Sequence, residues 1–212
     1  MKDNFTRITI ILDRSGSMES CKESTVAGFN EFIRAQKELP GSATVKLVQF
    51  DDQYETVFDV NLKSCPELTQ NTFVPRGSTA LLDAQGRTII ELGQELTALS
   101  EHERPAKVIV VTLTDGLENA SKNYNLQQIG EMIREQMDKY NWDFVFLGAN
   151  QDAIATASAM NIPLPSAMSY STSKRGIAAT MAAVSRYVGA SRSGKAAGFS
   201  PADRKAAMDK DA

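Results

Sequence analysis

The sequence predicts an α/β fold: a doubly wound, Rossmann-like, mainly parallel sheet with one antiparallel edge strand and helices on both faces. Short runs rich in β-branched residues alternate with longer stretches whose apolar residues recur at helical spacing. Several of the short runs are almost continuously apolar, as expected for strands covered on both sides. Right-handed crossovers between such strands build a parallel sheet.

The first half of the chain predicts a strand, a helix, a hairpin and a second helix. Ser20 and Glu23 have the spacing of a capping box at the start of the first helix, which stops before Pro40-Gly41. An acidic turn at 51–53 joins two β-branched runs, so these strands are antiparallel. The predicted strands are residues 7–13, 43–50 and 54–60, and the helices lie within 20–39 and 79–99.

The second half of the chain alternates in the same way. The run KVIVVTLTD is the most strand-like stretch and stops at Asp115, which Gly116 follows. Asn125 has the position of an N-cap for the next helix. The predicted strands are 107–115, 143–148 and a short edge strand within 165–171; the helices lie within 125–137, 152–161 and 177–189.

Length and composition predict one domain followed by a short tail. The chain has 212 residues, of which 42% are hydrophobic, enough for a sizeable core. Residues 1–190 are assigned to the domain. Residues 191–212 are rich in Gly, Ser, Ala and charge, and we expect a flexible C-terminal tail there, with a helical turn begun by Ser200 and Pro201.

Charge, cysteine content and hydropathy narrow the classes of partner. A net charge of −3 argues against nucleic acid as a partner, because binding to its phosphate backbone requires a basic protein face. The apolar runs are too short for a signal peptide or a membrane span, so no membrane association is expected. Cys21 and Cys65 are far apart and lack metal-binding spacing, as expected for free thiols in a reducing compartment. These features predict a cytoplasmic protein.

Three polar clusters are expected at the edge of the sheet where ligands bind, beyond the carboxyl ends of the strands. They are residues 13–17, 77–79 and 114–116. Asp13 and Asp115 end strands that should be adjacent, and two close carboxylates repel each other unless a cation lies between them. Arg14 should face away from this point. Hydroxyl and carboxylate oxygens suit Mg²⁺ or Mn²⁺, so the residues predict a divalent cation there.

These residues resemble a known motif. Asp13, Ser15 and Ser17 in the pattern D-x-S-x-S, Thr79 in GSTALLDA and Asp115 in LTDG are similar to the metal-ion-dependent adhesion site (MIDAS) of the von Willebrand factor A (VWA) family. The resemblance extends from the first strand to the final helix. It implies that the three hydroxyls ligate the ion, while the two aspartates anchor the ion or its waters. The expected ion is Mg²⁺, with Mn²⁺ or Ca²⁺ as alternatives.

The resemblance also implies a function. A Mg²⁺ held by neutral hydroxyls remains electrophilic at an open position, where a carboxylate is the favoured ligand. The expected function is therefore a metal-dependent protein-interaction module that binds an Asp or Glu side chain of a protein partner. Members of this family inside cells often work with ATPase partners, so an ATPase-associated system is one context that the resemblance suggests.

The alternative function is a Mg²⁺-dependent hydrolase or phosphatase with Asp13 as nucleophile. Such an enzyme normally has a second acid two residues further on, but this chain has Ser15 there. The sequence also lacks a glycine-rich phosphate loop and a His, Cys or Lys constellation that would supply a base. We therefore expect no enzyme activity. Self-association through Asp209 or Asp211 is a further, less favoured hypothesis.

The remaining polar residues near these clusters receive structural interpretations. Asp51 and Asp52 are interpreted as turn formers, Asp83 as a solvated or capping residue, Glu118 and Asn119 as exposed loop residues available to a partner, Asn150 and Asp152 as rim or helix-start residues, and His102 as a surface residue.

Overall fold

The structure, a computed structural model, describes residues 2–149, 152–195 and 197–210. Two residues of the sequence predictions lie outside these ranges: Asn150, a predicted rim or helix-start residue, and Asp211, one of the two acids of the self-association hypothesis.

The described residues form six strands and six α-helices in the order β1-α1-β2-β3-α2-β4-α3-β5-α4-β6-α5-α6. The strands are β1 (Lys2–Asp13), β2 (Ser42–Phe50), β3 (Tyr54–Asn61), β4 (Pro105–Thr114), β5 (Asp143–Ala149) and β6 (Ala167–Tyr170). The helices are α1 (Lys22–Lys37), α2 (Leu81–Ala98), α3 (Leu126–Tyr140), α4 (Ala153–Ala159), α5 (Lys174–Arg192) and α6 (Pro201–Ala207).

The six strands form one sheet in the order β3-β2-β1-β4-β5-β6. All neighbours are parallel except β2 and β3, which form an antiparallel hairpin at one edge. This confirms the predicted α/β architecture. The strand β1 lies directly beside β4, so the carboxyl ends that carry Asp13 and Asp115 are neighbours, as the sequence predicted.

The two faces of the sheet are covered by different helices. Alternate residues of a strand point to opposite faces, so Ile10 contributes to the core beneath α1 and α5, and Ile11 to the core beneath α2, α3 and α4. The same alternation separates Val110 from Val111 in β4. Because both faces of the central strands are buried, these strands are continuously apolar in sequence.

The start of α1 differs from the prediction. Residues Gly16–Cys21 form a 3-10 helix that continues directly into α1, and Cys21 occupies the N-cap position without a side-chain capping hydrogen bond. Ser20 Oγ donates to the carbonyl of Ser17 at 3.1 Å. The predicted Ser20–Glu23 capping box is therefore wrong, because Ser20 lies inside a helical turn. The predicted N-cap of α3 is confirmed: Asn125 forms a reciprocal capping box with Gln128.

The C-terminal segment contains more structure than the sequence predicted. The helix α5 continues past residue 190 to Arg192, and α6 begins at the predicted cap, Ser200 followed by Pro201. The carbonyl of Ala207 accepts a hydrogen bond from the Ser171 amide at 2.8 Å, which ties α6 to the end of β6. The predicted helical turn is thus a short helix that packs against β6. The flexible tail and the domain boundary at 190 stay predictions.

Two further expectations concern the cysteines and the membrane. Cys21 and Cys65 are both buried, and each is a free thiol in the structure. Within the described ranges, no helix combines the length and the apolar character needed to cross a membrane.

Candidate metal centre

The candidate centre lies at the carboxyl edge of the two central strands. Asp13 is the last residue of β1, and Asp115 directly follows Thr114, the last residue of β4. Both aspartates are buried, whereas Ser17, on the 3-10 helix after β1, is exposed. The cluster is therefore anchored in the sheet and open to solvent at Ser17.

Short hydrogen bonds connect four of the five predicted side chains or their backbone. One carboxylate oxygen of Asp13 accepts from the Ser15 amide at 2.6 Å, and the other accepts from the Thr114 hydroxyl at 2.5 Å. Ser17 Oγ donates to Asp115 Oδ1 at 2.6 Å and lies 3.2 Å from Ser15 Oγ. The structure thus places Asp13, Ser15, Ser17 and Asp115 in one cluster.

The loop before α2 brings Thr79 to the same place. Asn119 Oδ1 accepts a hydrogen bond from the Thr79 amide at 2.9 Å, and the Asn119 amide donates back to the Thr79 carbonyl at 3.0 Å. A Cβ atom on Gly116 would lie 3.3 Å from Thr79 Oγ1 and 3.7 Å from Ser17 Oγ. The two hydroxyls therefore flank the backbone that follows Asp115, and all five predicted residues converge.

Burial controls the electrostatics of the centre. The pKa of Asp13 is raised to about 6, mainly because burial disfavours the carboxylate; the hydrogen bonds from Thr114 and Ser15 oppose this rise, and the nearby charge of Asp115 adds to it. Burial also raises the pKa of Asp115, against the lowering effect of the Ser17 hydrogen bond. Both carboxylates therefore lie in surroundings that disfavour their charge unless a cation is present.

The neighbouring Arg14 is directed elsewhere, as expected from its place in the strand alternation. Its Nε donates to Asp51 Oδ2 at 3.2 Å, and its Nη1 donates to Glu55 at 2.6 Å. Asp51 is fully buried and also accepts from Arg76 Nε at 2.8 Å and from the Gln53 amide at 2.6 Å. Asp51 does form the predicted turn, but it also joins the loops on either side of the centre, a role that its turn-like sequence does not indicate.

Two more carboxylates organise the loop after β4. Glu118 accepts hydrogen bonds from the backbone amides of Leu82, at the start of α2, and of Ser121. Asp83 accepts from the amides of Lys122, Asn123 and Tyr124 at 2.9–3.0 Å; burial raises its pKa, but these bonds outweigh burial, and the pKa is lowered overall. One sequence signal indicates a capping role for Asp83, namely an acidic residue in the first turn of a helix.

The donor set fits a hard divalent cation. Two carboxylates and three hydroxyls offer only oxygen atoms, which suit Mg²⁺ or Mn²⁺ rather than a soft metal. Within the part of the chain that the structure describes, no group of three or more His, Cys, Asp or Glu side chains could hold a metal ion. Any cation at this centre would therefore depend on the hydroxyl groups of Ser15, Ser17 and Thr79.

The raised pKa of Asp13 predicts how the stability of the metal-free protein depends on pH. A carboxyl whose folded pKa is raised stabilises the fold below its unfolded pKa, and this contribution is lost as pH rises through about 6. In EDTA, the free energy of unfolding of the wild type relative to Asp13→Asn should fall by about 2–3 kcal/mol between pH 4 and pH 7.5. Urea unfolding of both proteins across this range measures the difference, and a constant difference would contradict the prediction.

Comparison with known proteins identifies the family. The family model of the von Willebrand factor type A domain matches residues 8–118, slightly more than half of the chain. The chain therefore belongs to the VWA domain family. Domains of this family generally mediate protein interactions. No curated protein sequence matches the chain.

Solved structures share this fold at low sequence identity. The PilB minor pilin from Streptococcus sanguinis has 12% identity and a TM-score of 0.58 over 87% of this chain. A von Willebrand factor type A protein from Catenulispora acidiphila has 14% identity and a TM-score of 0.58 over 88% of this chain. Proximal thread matrix protein 1 from the mussel byssus, with a zinc-occupied MIDAS motif, has 14% identity and a TM-score of 0.59 over 89% of this chain. The chain spans 61%, 42% and 47% of these three proteins, respectively.

Proposed function

We propose that this VWA domain is a metal-dependent protein-interaction module with a MIDAS formed by Asp13, Ser15, Ser17, Thr79 and Asp115. The observation that carries the proposal is the convergence of these side chains, from three separate segments, at one edge of the sheet. Mg²⁺ is the proposed ion, and Mn²⁺ or Ca²⁺ are alternatives. When bound, the ion would supply a position for one carboxylate oxygen of a partner's Asp or Glu.

Each residue has a distinct part in this proposal. The hydrogen bonds from the Ser15 amide and the Thr114 hydroxyl fix the orientation of the Asp13 carboxylate. Asp13 and Asp115 provide the negative charge that attracts the cation. Ser15, Ser17 and Thr79 provide neutral oxygens that leave much of the charge of the cation uncompensated. Exposure of Ser17 leaves the outer side of the centre accessible to a partner.

A fold neighbour supports the choice of a divalent metal. The mussel byssus protein has zinc in its MIDAS motif, so the VWA fold can hold a divalent ion at such a motif. The donor atoms of the present chain are hard oxygens, which is why we propose Mg²⁺ rather than zinc for this domain.

A binding function accounts for the environment of Asp13 better than the alternative hydrolase does. A nucleophilic aspartate needs an accessible oxygen with a free lone pair directed at the substrate. Asp13 is fully buried, and the Ser15 amide and the Thr114 hydroxyl hold its two oxygens in place, so neither oxygen is presented to a substrate at the surface. Ser15, which stands where a general acid would be needed, is a poor proton donor at neutral pH. We therefore propose that the domain is not an enzyme.

The cellular setting belongs to the same proposal. The proposed location is the cytoplasm, and the two free, buried thiols support it. The proposed partner is a protein with an exposed acidic residue, such as a component of an ATPase-associated system. Neither nucleic acid nor a membrane is proposed as a ligand.

The experiment is a pull-down from a cell extract with wild-type protein, Asp13→Ala and, as a matched control, Asp52→Ala, which removes an exposed acid nearby. We expect one set of proteins to bind the wild type and Asp52→Ala in Mg²⁺, and to be lost in EDTA and with Asp13→Ala. Partners that persist in EDTA would contradict metal dependence. Hydrolysis of phosphate or ester substrates that requires Asp13 would contradict the binding function and favour the hydrolase.

A further inference from the structure

A buried tyrosine contacts the backbone beneath the candidate centre. Tyr170, at the carboxyl end of β6, is 2% exposed, and its hydroxyl donates to the carbonyl of Thr114 at 3.2 Å. β5 lies between β6 and β4, so this contact reaches across a strand to the residue just before Asp115. The surrounding residues raise the pKa of Tyr170 well above its ordinary value, chiefly by burial, so the hydroxyl keeps its proton and remains a donor.

Thr114 connects this hydroxyl to Asp13. Its carbonyl accepts from Tyr170, and its own hydroxyl donates to Asp13 Oδ2 at 2.5 Å. The same Thr114 hydroxyl also lies 3.2 Å from the carbonyl of Gly116, beside Asp115. A shift of the Thr114 backbone would therefore move the hydroxyl that orients the Asp13 carboxylate.

The C-terminal segment fixes the backbone next to Tyr170. The amide of Ser171 donates to the Ala207 carbonyl at the end of α6. Gly176 allows this close approach, since a Cβ there would lie 2.4 Å from the Ser171 carbonyl oxygen and 2.9 Å from the Ala207 carbonyl oxygen. Tyr170 packs on the far side of the sheet from α2, in the same core cluster as Met18 of the 3-10 helix that carries Ser17.

We propose that Tyr170 is a positioning residue of the metal centre, which acts through the Thr114 carbonyl to hold the Thr114 hydroxyl against Asp13. This inference rests on the proposed function, because it assigns Tyr170 a role in metal affinity. Residues that orient metal ligands from behind contribute measurably to affinity. The net free energy of one hydrogen bond corresponds to about a three- to tenfold change in dissociation constant.

The test compares Mn²⁺ dissociation constants, measured by electron paramagnetic resonance, for the wild type, Tyr170→Phe and Tyr187→Phe. Tyr187 is a matched control, because it is also buried and its hydroxyl forms a hydrogen bond with the Ser166 hydroxyl at 2.7 Å. Ser166 directly precedes β6, whereas Tyr170 ends that strand next to the candidate centre. Tyr170→Phe should weaken Mn²⁺ binding about three- to tenfold, while Tyr187→Phe stays within about twofold of the wild type. Melting in EDTA reports the structural cost of each lost hydroxyl separately.

A second pair of variants tests the route through Thr114. Thr114→Val should weaken Mn²⁺ binding about tenfold or more, and Thr114→Ser, which keeps the hydroxyl, should restore it. Adding Tyr170→Phe to Thr114→Val should then cost less than about twofold, because both changes remove one connection. Unchanged affinity in Tyr170→Phe, or equal losses in Tyr170→Phe and Tyr187→Phe, would overturn this inference alone. A wild type that binds no Mn²⁺ would overturn the proposed function and this inference together.

Discussion

Asp13→Asn is expected to abolish the rise in melting temperature that Mg²⁺ produces in the wild type, and to raise the stability of the metal-free protein. A cation that binds only the folded state stabilises it by about 2.7 kcal/mol at a hundred times its dissociation constant, or roughly 5–10 °C for a chain of this size. The amide removes the negative charge of Asp13 while keeping an oxygen that accepts from the Ser15 amide. Melting curves at pH 7.5, with Mg²⁺ and with EDTA, measure both effects.

The higher stability of metal-free Asp13→Asn follows from the burial of Asp13. With a folded pKa of about 6, an ionised Asp13 at pH 7.5 costs the folded state on the order of 2–3 kcal/mol relative to the unfolded chain. An amide avoids this cost but pairs less well with the Thr114 hydroxyl, so the expected net gain is about 1–2 kcal/mol. Asp52→Asn serves as the control and should leave both the metal-free stability and the Mg²⁺ response unchanged. A full Mg²⁺ response in Asp13→Asn would contradict the role assigned to Asp13.

Asp51→Ala is expected to lower the free energy of unfolding by about 3 kcal/mol and to weaken Mg²⁺ binding by about tenfold or more. The variant leaves the buried Arg14 guanidinium without its Asp51 partner. It also removes the partner of Arg76, which lies on the loop that leads to Thr79. The carbonyl of Asp51 also accepts from the Ala80 amide at 2.9 Å, just before α2. Urea unfolding and Mg²⁺ titration measure the two effects.

The neighbouring acid provides a matched control for this prediction. Asp52 occupies the same turn but is exposed, so Asp52→Ala should change the stability by less than about 0.5 kcal/mol. If Asp51→Ala behaved like Asp52→Ala in both measurements, Asp51 would be only a turn former, as the sequence analysis assumed. Loss of stability with unchanged Mg²⁺ affinity would show that the loop carrying Thr79 does not depend on Arg76.

The architecture and the residues of the centre were predictable because their signals are local. Continuous apolar runs end at Asp13 and Asp115, and parallel strands bring such ends to one edge of the sheet. The fold prediction is confirmed, and the predicted side chains converge. Metal binding itself stays a prediction, since spacing and proximity show where a cation would lie and not that one binds.

The supporting residues were not predictable because their partners are distant in sequence. Asp51 contacts Arg14 and Arg76 only after three segments have come together, and a turn composition gives no sign of this. Tyr170 reads as an ordinary residue of a short strand until the strand order places it beside Thr114. The Ser20–Glu23 capping box failed for a local reason, because the 3-10 helix that presents Ser17 also shifts the start of α1.

The central claim is that one hard cation binds among Asp13, Ser15, Ser17, Thr79 and Asp115. Anomalous diffraction from crystals grown with Mn²⁺ tests it most directly. We expect a single strong peak among the oxygen atoms of these five residues in the wild type, and its loss in crystals of Asp13→Ala. Wild-type crystals with the five side chains in place and no Mn²⁺ peak between them would contradict it.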